Sequence, residues 1–438
     1  MTAAARALLD RLVPSEAMQS DQPAWGRDGQ PEARAWLLDH GLPTAKDEAW
    51  HYTPLDDIVA TGFQPASDRG RERVDGALVD RLAGIHGGVR IVFVNGSFSR
   101  ELSDTGAAPA GVRCTNLASA ETEGPVPVSS SFLARHPWRP DGFAALNAVA
   151  GRDGALVVVG PGVSVSEAIH VVHVSVPGDE PGAWHPRTLI QAGARSRFTV
   201  IESYVGLPGV ALINASTMVV VGRDARVVHH RVQAEAAAAV HVGHTAITQG
   251  ARSQVRSSST MLGAAIARSA IDVVLQGPDA RIDLQGLYLV TGEQRHDNMI
   301  TVEHAASGCS STQLFKGIIN DRGRGSFSGR IIVQPGTAAT DAHQTSRSLL
   351  LAPTAQADTR PWLEILADDV KCTHAATIGR LGDEAMFYLR TRGIHKAAAR
   401  TMLIGAFIGE VIEAIEPPTL RSLLEATVDA KLGREHAT

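Results

Sequence analysis

A weak internal repeat near the middle of the chain constrains the fold more than any other feature. Four segments each combine a small turn with a run typical of a β-strand, and they begin at residues 193, 224, 250 and 279. They read Gly193-Ala-Arg-Ser-Arg-Phe-Thr-Val, Asp224-Ala-Arg-Val-Val, Gly250-Ala-Arg-Ser-Gln-Val and Asp279-Ala-Arg-Ile-Asp-Leu. Spacings of 26 to 31 residues lie within the period range of solenoid proteins. Because each coil of such a stack pairs its backbone groups with the coils above and below, the repeat predicts stacked β-coils.

The sequence around the repeat has the same texture. From about Gly151 to Asp369 it is a succession of short Val-, Ile- and Thr-rich segments cut by Gly, Asp and Pro, without a convincing helical period. Hydrophobic residues make up 44% of the chain but aromatic residues only 5%, which suits a narrow interior of stacked aliphatic side chains. We therefore predict a mainly β protein with a parallel β-helix (solenoid) core, with a β-sandwich as the alternative. The clearest strand candidates are Ala155–Val159, Ile169–Val174, Thr217–Val221 and Ile271–Leu275.

The N-terminal part of the chain has helical patterns instead. Leu8, Leu9 and Leu12 form one apolar stripe, and residues 33–40 form a second that Gly41 ends. A β-branched run over residues 90–94 followed by Asn-Gly predicts a strand and a turn, and a Pro/Ser-rich stretch over residues 124–131 follows.

The pattern becomes helical again after Cys372. Asp383 is predicted to cap a short helix that Gly393 ends, and a second helix spans about His395 to Ile415. A third, amphipathic helix follows Pro417. The sequence thus predicts a helical N-terminal region (1–90), a mixed strand and loop connection (91–150), the β-helix core (151–375) and a helical C-terminal region (376–438).

Charge and apolar patterning exclude several classes of function. Asp and Glu together number 46 against 41 Lys and Arg, a net charge of -5, so the chain lacks the basic surface expected for binding nucleic acid or an anionic membrane. Residues 1–13 include Arg6, Asp10 and Arg11, which interrupt the apolar core that a secretory signal needs. No apolar run is long enough to span a membrane, so we expect a cytoplasmic protein.

No motif of nucleotide hydrolysis or of a closed metal site is present. A phosphate-binding Gly-x-x-x-x-Gly-Lys-Ser/Thr loop is missing, and the glycines of residues 323–329 have the wrong spacing for a dinucleotide fingerprint. The three cysteines lie far apart. The pairs His170/His173 and His241/His244 have a spacing that places side chains on opposite faces of a strand. We therefore predict neither catalytic nor permanent cofactor-binding residues, and no enzyme.

Cys372-Thr-His374 is the remaining candidate for metal binding. In an extended segment this spacing places the thiol and the imidazole on the same face, and both ligands suit iron and sulfide. Two ligands do not close a tetrahedral site, so a metal here would be shared with another chain. The alternative is a buried cysteine beside a structural histidine.

The segment that contains these two residues resembles a known family. Residues 362–394, which read Trp362-Leu-Glu-Ile-Leu-Ala-Asp-Asp-Val-Lys-Cys372-Thr-His374-Ala-Ala-Thr-Ile-Gly-Arg and onward, are similar to the signature of the SufB and SufD subunits of the SUF iron–sulfur assembly machinery. Gln313–Gly317, Phe327–Gly329 and Asp341–Leu351 support the resemblance, which covers most of residues 150–415. Residues 41–55 resemble the SufD N-terminal motif, and the Cys-rich SufB motif is absent, which favours the SufD branch.

The resemblance implies a scaffold function. Two paralogous β-helix subunits of this family associate, and the C-terminal helical region of each holds a SufC ATPase. It implies further that a transient iron–sulfur cluster forms between the paralogues, with an essential cysteine on the SufB-like subunit and a histidine on the SufD-like one. That histidine corresponds to His374, and the neighbouring family cysteine corresponds to Cys372. Two residues depart from the family pattern: Ala375 stands where the family usually has Gly, and Trp362 replaces a commonly polar residue. A SufB-like sister subunit, a homodimer and a polysaccharide-acting β-helix enzyme are the alternatives.

Overall fold

Short helices and strands form the N-terminal part of the protein. The structure, a computed structural model, describes residues 2–14, 30–44, 46–65, 70–84, 87–106, 108–120 and 141–433, so the Pro/Ser-rich stretch at 124–131 lies outside the described residues. The helices are α1 (Ala3–Leu12), α2 (Gln30–His40), α3 (Leu55–Ala60), α4 (Gly76–Ala83), α5 (Leu117–Ala120) and α6 (Gly142–Ala150). The strands are β1 (Gln64–Pro65), β2 (Arg90–Val94), β3 (Ser97–Phe98) and β4 (Val112–Asn116). The predicted stripe of α1 is confirmed, because Leu8, Leu9 and Leu12 are buried.

From residue 154 onward the strands alternate between two sheets, and the chain winds as a solenoid of about eight turns. Sheet A contains β4, β5, β8, β10, β12, β14, β16, β18 and β20 in spatial order, with β7 paired beside β10 and β1 paired with β7. Sheet B contains β3, β2, β6, β9, β11, β13, β15, β17, β19 and β21 in spatial order. All pairings from β5 onward in these two orders are parallel. The predicted parallel β-helix is therefore confirmed. The strands are β5 (Gly154–Val159), β6 (Ile169–Ser175), β7 (Gly182–Trp184), β8 (Arg187–Ala192), β9 (Arg197–Gly206), β10 (Ala211–Val221), β11 (Arg226–Ala234), β12 (Val240–Gln249), β13 (Gln254–Met261), β14 (Ile266–Leu275), β15 (Arg281–Val290), β16 (Arg295–His304), β17 (Ser310–Ile319), β18 (Arg324–Val333), β19 (Thr340–Leu350), β20 (Gln356–Ile365) and β21 (Val370–Arg380).

The repeat in the sequence corresponds to one stacked turn of each coil. Arg195, Asp224, Arg252 and Asp279 all have left-handed backbone conformations, with φ between 55° and 61°. The N–H of each donates to a carbonyl in the turn of the next coil; that of Asp224, for example, donates to the carbonyl of Ala251 at 3.0 Å. A strand of sheet B begins two residues after each of these positions. Asp adopts the left-handed conformation as a single residue more readily than most residues do. At the Arg positions, the stacked turns above and below maintain this conformation.

The N-terminal elements cover the first coil of both sheets. Strand β2 pairs with β6 in sheet B, and β4 pairs antiparallel with β5 in sheet A. Val89, Ile91, Phe93 and Cys114 pack into the same interior core as the solenoid strands. This end of the solenoid is therefore closed, and water is excluded from the inward faces of the first coils.

Three C-terminal helices follow β21: α7 (Asp383–Thr391), α8 (Lys396–Glu413) and α9 (Pro418–Gly433). Helices α8 and α9 pack their apolar stripes on the outer face of sheet B. The prediction that Asp383 caps α7 is wrong, because Gly382 occupies the N-cap position and Asp383 is the first helical residue. The predicted C-terminal stop is confirmed: Gly393 has φ 82°, and the N–H of Ile394 donates to the carbonyl of Leu389.

The predicted division at residue 375 falls inside β21, which continues to Arg380. Among the described residues, no helix is both long and apolar enough to cross a membrane.

Candidate functional site

The last coil leaves both sheets with an open edge. Strand β20 pairs with β18 and strand β21 pairs with β19, and no described strand pairs on their other sides. We call this end of the solenoid, formed by β20, β21 and the turn between them, the mouth. A free edge carries a row of backbone N–H and C=O groups that can pair with another chain. The mouth is therefore the part of the solenoid best suited to bind a second β-protein.

Cys372 and His374 both face inward at the mouth. In register, Cys372 lies beside Ala342 and His374 beside Gln344, and these two β19 residues are buried in the interior at 0% and 2% exposure. The expected placement of Cys372 and His374 on one face is therefore what the structure shows. Because no further coil among the described residues covers them, His374 is exposed and Cys372 is half-buried.

The two side chains differ in their surroundings. Cys372 packs against an apolar cluster that includes Ile331 and Val333. Burial, with a smaller contribution from the charge of Asp341, raises the pKa of the Cys372 thiol above its ordinary value. A raised pKa keeps the thiol protonated at neutral pH, and the thiolate is the form that binds metal. The shift therefore disfavours metal binding by Cys372 in the isolated chain.

Gln344 is a neighbour of His374 that the sequence analysis did not single out. It lies next to His374 in register, and its Oε1 has no hydrogen-bond partner among the described residues. Gly329 leaves the space that the Gln344 side chain occupies, because a Cβ at position 329 would lie only 1.3 Å from Gln344 Nε2. The Phe-Ser-Gly segment recognised in the sequence thus makes room for a polar side chain directly behind His374.

The outer face of the mouth carries a second polar group. His343 contacts Asp341 at 2.9 Å through Nε2 and Thr373 Oγ1 at 2.7 Å through Nδ1. These side chains project away from the interior, so they do not share a face with His374. Ala375 also faces outward, in register with Thr345, and its φ is not positive, so the strand does not need the glycine that the family usually has there.

The members of the two other histidine pairs lie on opposite faces of their strands, as the spacing predicted. His173 faces inward and stacks on Tyr204, whereas His170 contacts Ser203. His241 bonds to Glu235 inside the solenoid, and His244 pairs with Asp272 on the outer side of sheet A. Each histidine is thus engaged by its own strand neighbours.

A buried carboxylate inside the solenoid is a feature that sequence reasoning missed. Glu202 is 0% exposed and accepts hydrogen bonds from Thr188 (2.5 Å), Tyr204 (2.7 Å), Thr217 (2.8 Å) and His229 (3.3 Å). Burial alone would raise the pKa of Glu202, but the hydrogen bond and charge of His229 outweigh it and lower the pKa below its ordinary value. The side chain lies in β9, six strands from β21 along sheet B, or about 29 Å at 4.8 Å per strand. It belongs to the core and not to the mouth.

A second exposed surface lies on the C-terminal helices. Phe387 and Tyr388 on α7 are 69% and 57% exposed, and Met402 on α8 is 51% exposed. We call these three residues the helical patch. Helix α8 is tied to sheet B by the buried Lys316, whose Nζ lies 2.7 Å from Glu410 Oε2 and donates to the Phe407 carbonyl at 2.7 Å.

Within the described part of the chain, no three His, Cys, Asp or Glu side chains are arranged to hold a metal ion. Cys372 and His374 therefore provide two candidate ligands at a surface that a second chain could cover.

Comparison with known proteins agrees with this architecture. The chain matches the SufBD core domain of the SUF system for iron–sulfur cluster assembly over residues 174–407 and the N-terminal region of SufBD proteins over residues 16–171. It is 30% identical over 404 residues to the iron–sulfur cluster assembly protein SufD of Escherichia coli, covering 90% of each chain. A SufBD family iron–sulfur cluster assembly protein of Synechocystis is 30% identical over 89% of this chain and 87% of its own length. SufD of Bacillus subtilis is 26% identical over 77% of this chain and 76% of its own. The chain therefore belongs to the SufBD family of iron–sulfur cluster assembly proteins.

Proposed function

We propose that this chain is the SufD-type subunit of a cytoplasmic SUF assembly complex, and that His374 binds a nascent iron–sulfur cluster at the contact with a SufB-type sister subunit. The observation that carries the proposal is the position of His374: it faces inward, is exposed, and lies on an edge strand that no other described strand pairs with on one side. Any chain that extended the two sheets would cover this side chain. Family membership leaves the polysaccharide-acting alternative without support.

The shape of the mouth supports a solenoid as the partner. Two free edges, β20 and β21, lie at the same end of the molecule, one in each sheet. A single extended peptide would pair with one edge only, whereas another two-sheet solenoid presents two edges at once. A second copy of this chain has the same edges, so we expect a homodimer when the sister subunit is absent.

The chemistry of the cargo favours a sister chain over a second copy for cluster assembly. Iron–sulfur clusters are held chiefly by thiolates. A second copy would add another half-buried Cys372, whose pKa is raised, and another His374. A sister chain that contributes a thiolate would complete the site. Neutral imidazole adds no negative charge and binds iron less tightly than thiolate does, which suits a cluster that must be passed on.

The helical patch is our candidate for binding the SufC-type ATPase. Exposed aromatic and methionine side chains on helices are typical of protein-binding surfaces. The Lys316 contacts connect α8 to strand β17, two strands from β21 in sheet B, so an ATPase bound here would act close to the mouth. Because this chain has no phosphate-binding loop, we assign ATP hydrolysis to the partner and no catalysis to this subunit.

The proposal is tested by substituting His374 in a strain that depends on this pathway. We expect His374→Ala to abolish maturation of iron–sulfur enzymes, because the cluster loses its ligand from this chain, while Cys372→Ala has a milder effect. The matched control is His343→Ala, which removes an exposed histidine from the opposite face of the neighbouring strand. The sister subunit and the ATPase should co-purify with all three variants. Normal maturation with His374→Ala would refute the ligand role, and failure of the wild-type chain to bind a sister subunit would refute the scaffold role.

A further inference from the structure

Large exposed apolar side chains concentrate at the mouth. Trp362, Ile365, Leu366 and Ile378 are 44%, 39%, 51% and 43% exposed, and all four lie in the last coil. Three of them belong to the inward face or the turn, but Trp362 lies on the outer face of sheet A, because its in-register neighbour Arg330 alternates with the inward-facing Ile331. Trp362 is therefore an exposed aromatic residue outside the opening itself.

The ring of Trp362 is held between two arginines. The guanidinium carbons of Arg330 and Arg360 lie 5.4 and 5.7 Å from the ring centre. Each arginine is fixed in turn by a carboxylate, Arg330 by Glu364 and Arg360 by Glu48 of the N-terminal region. Cation–π contacts of this kind restrict the side chain before any partner arrives, so less conformational freedom is lost on binding.

We propose that Trp362 is a binding anchor for the sister solenoid, and that the interface extends from the mouth over the outer face of sheet A. This inference rests on the proposed function, since it requires that a sister solenoid binds at the mouth. Trp362 lies on edge strand β20, so a strand that paired with β20 would bring its own outward side chains against the indole ring. Tryptophan and arginine are the residues most enriched among binding hot spots, and here they occur together.

Two features on the surface point to a protein partner and not to an anionic ligand. The two arginines around the ring are each paired with a carboxylate, so the patch offers an aromatic face without a surplus of positive charge. The exposed Ile365 and Leu366 follow at the end of the same strand, Ile365 on the inward face and Leu366 in the turn beyond it. An apolar surface next to a free strand edge fits an edge strand of another solenoid.

The affinity experiment uses the full-length chain and the purified sister subunit. We expect Trp362→Ala to raise the dissociation constant on the order of 30-fold, the effect of removing a central aromatic anchor. The matched control is Val210→Ala, which truncates a side chain of 38% exposure just before β10, five strands from β20 in sheet A. This control should bind the sister subunit as the wild type does.

Tryptophan emission provides a second readout that does not depend on a loss of binding. Adding the sister subunit to the wild-type chain should shift the emission to shorter wavelength, because the indole of Trp362 leaves water. In Trp362→Phe, which keeps an aromatic ring but removes this fluorophore, the shift should disappear.

Three outcomes would overturn the inference. An unchanged dissociation constant for Trp362→Ala together with an unshifted emission would refute the anchor while leaving the proposed function intact. If Trp362→Ala weakened self-association of this chain but not its binding to the sister subunit, the partner at Trp362 would be a second copy of this chain, against our proposal. Failure of the wild-type chain to bind the sister subunit at all would refute the proposed function itself, and the inference with it.

Discussion

His229 and His374 occupy the same inward-facing column of sheet B, five strands apart, yet their surroundings are opposite. His229 is 1% exposed and bonds to Glu202 and Ser257 at 3.3 and 3.2 Å. His374 lies on the last strand and faces solvent. The same backbone geometry thus presents one histidine to a closed core and the other to an open end. The comparison teaches that coverage by the next coil, and not strand geometry, separates a structural histidine from one that is free to bind a ligand.

The largest effect that the comparison predicts is on stability, at the closed end. Glu202→Ala should lower the free energy of unfolding by about 3 to 5 kcal/mol, because it leaves His229 and the hydroxyls of Thr188 and Thr217 buried without their shared acceptor. His374→Ala should change it by no more than about 0.5 kcal/mol, as is usual for exposed positions. Urea unfolding of the two variants measures the difference.

Equal losses of stability in the two variants would contradict the division between core and mouth. A folded Glu202→Ala chain with wild-type stability would show that the buried hydrogen bonds contribute nothing. A reduced slope of the unfolding free energy against urea would instead indicate that the variant changes the unfolded state.

A smaller effect is expected from acid, and it concerns a histidine in the closed core. Burial lowers the pKa of His304 to about 4 from an ordinary value of 6.5. Between these values the unfolded chain binds more protons than the folded one, so stability falls as the pH decreases from about 6.5 to 4. His304→Gln should remove a share of this loss, at most about 3.5 kcal/mol, since each unit of pKa shift corresponds to about 1.4 kcal/mol. Unfolding followed at a series of pH values tests this; an identical pH dependence in His304→Gln would contradict it.

The sequence predicts the recurring turns of the coils and the face on which Cys372 and His374 lie. It does not predict which inward-facing side chains are covered by a neighbouring coil. The turns at Arg195, Asp224, Arg252 and Asp279 were recognisable because one local pattern recurs once per coil. The shared face of Cys372 and His374 followed from strand alternation alone. In both cases the information lies within a few residues along the chain.

What the sequence did not reveal depends on contacts between coils. Glu202 gathers its partners from strands β8, β10 and β11, so no local pattern marks it as buried and satisfied. The exposure of His374 arises because β21 is the last strand of sheet B in the part of the chain that the structure describes, and no residue near His374 signals this. The prediction of a cap at Asp383 is wrong because Asp is favoured both at the N-cap and in the first turn of a helix, so its presence does not separate the two positions.

The central claim, that His374 binds the cluster in the assembled complex, is tested most directly by magnetic resonance on the reduced cluster. The complex of this chain with its sister subunit and ATPase would be reconstituted with iron and sulfide, and the nitrogen couplings to the cluster would be measured. We predict a coupling typical of a bound imidazole that is lost in His374→Ala and retained in Cys372→Ala and His343→Ala. A cluster that forms in the complex with no imidazole coupling, or whose coupling survives in His374→Ala, would contradict the account.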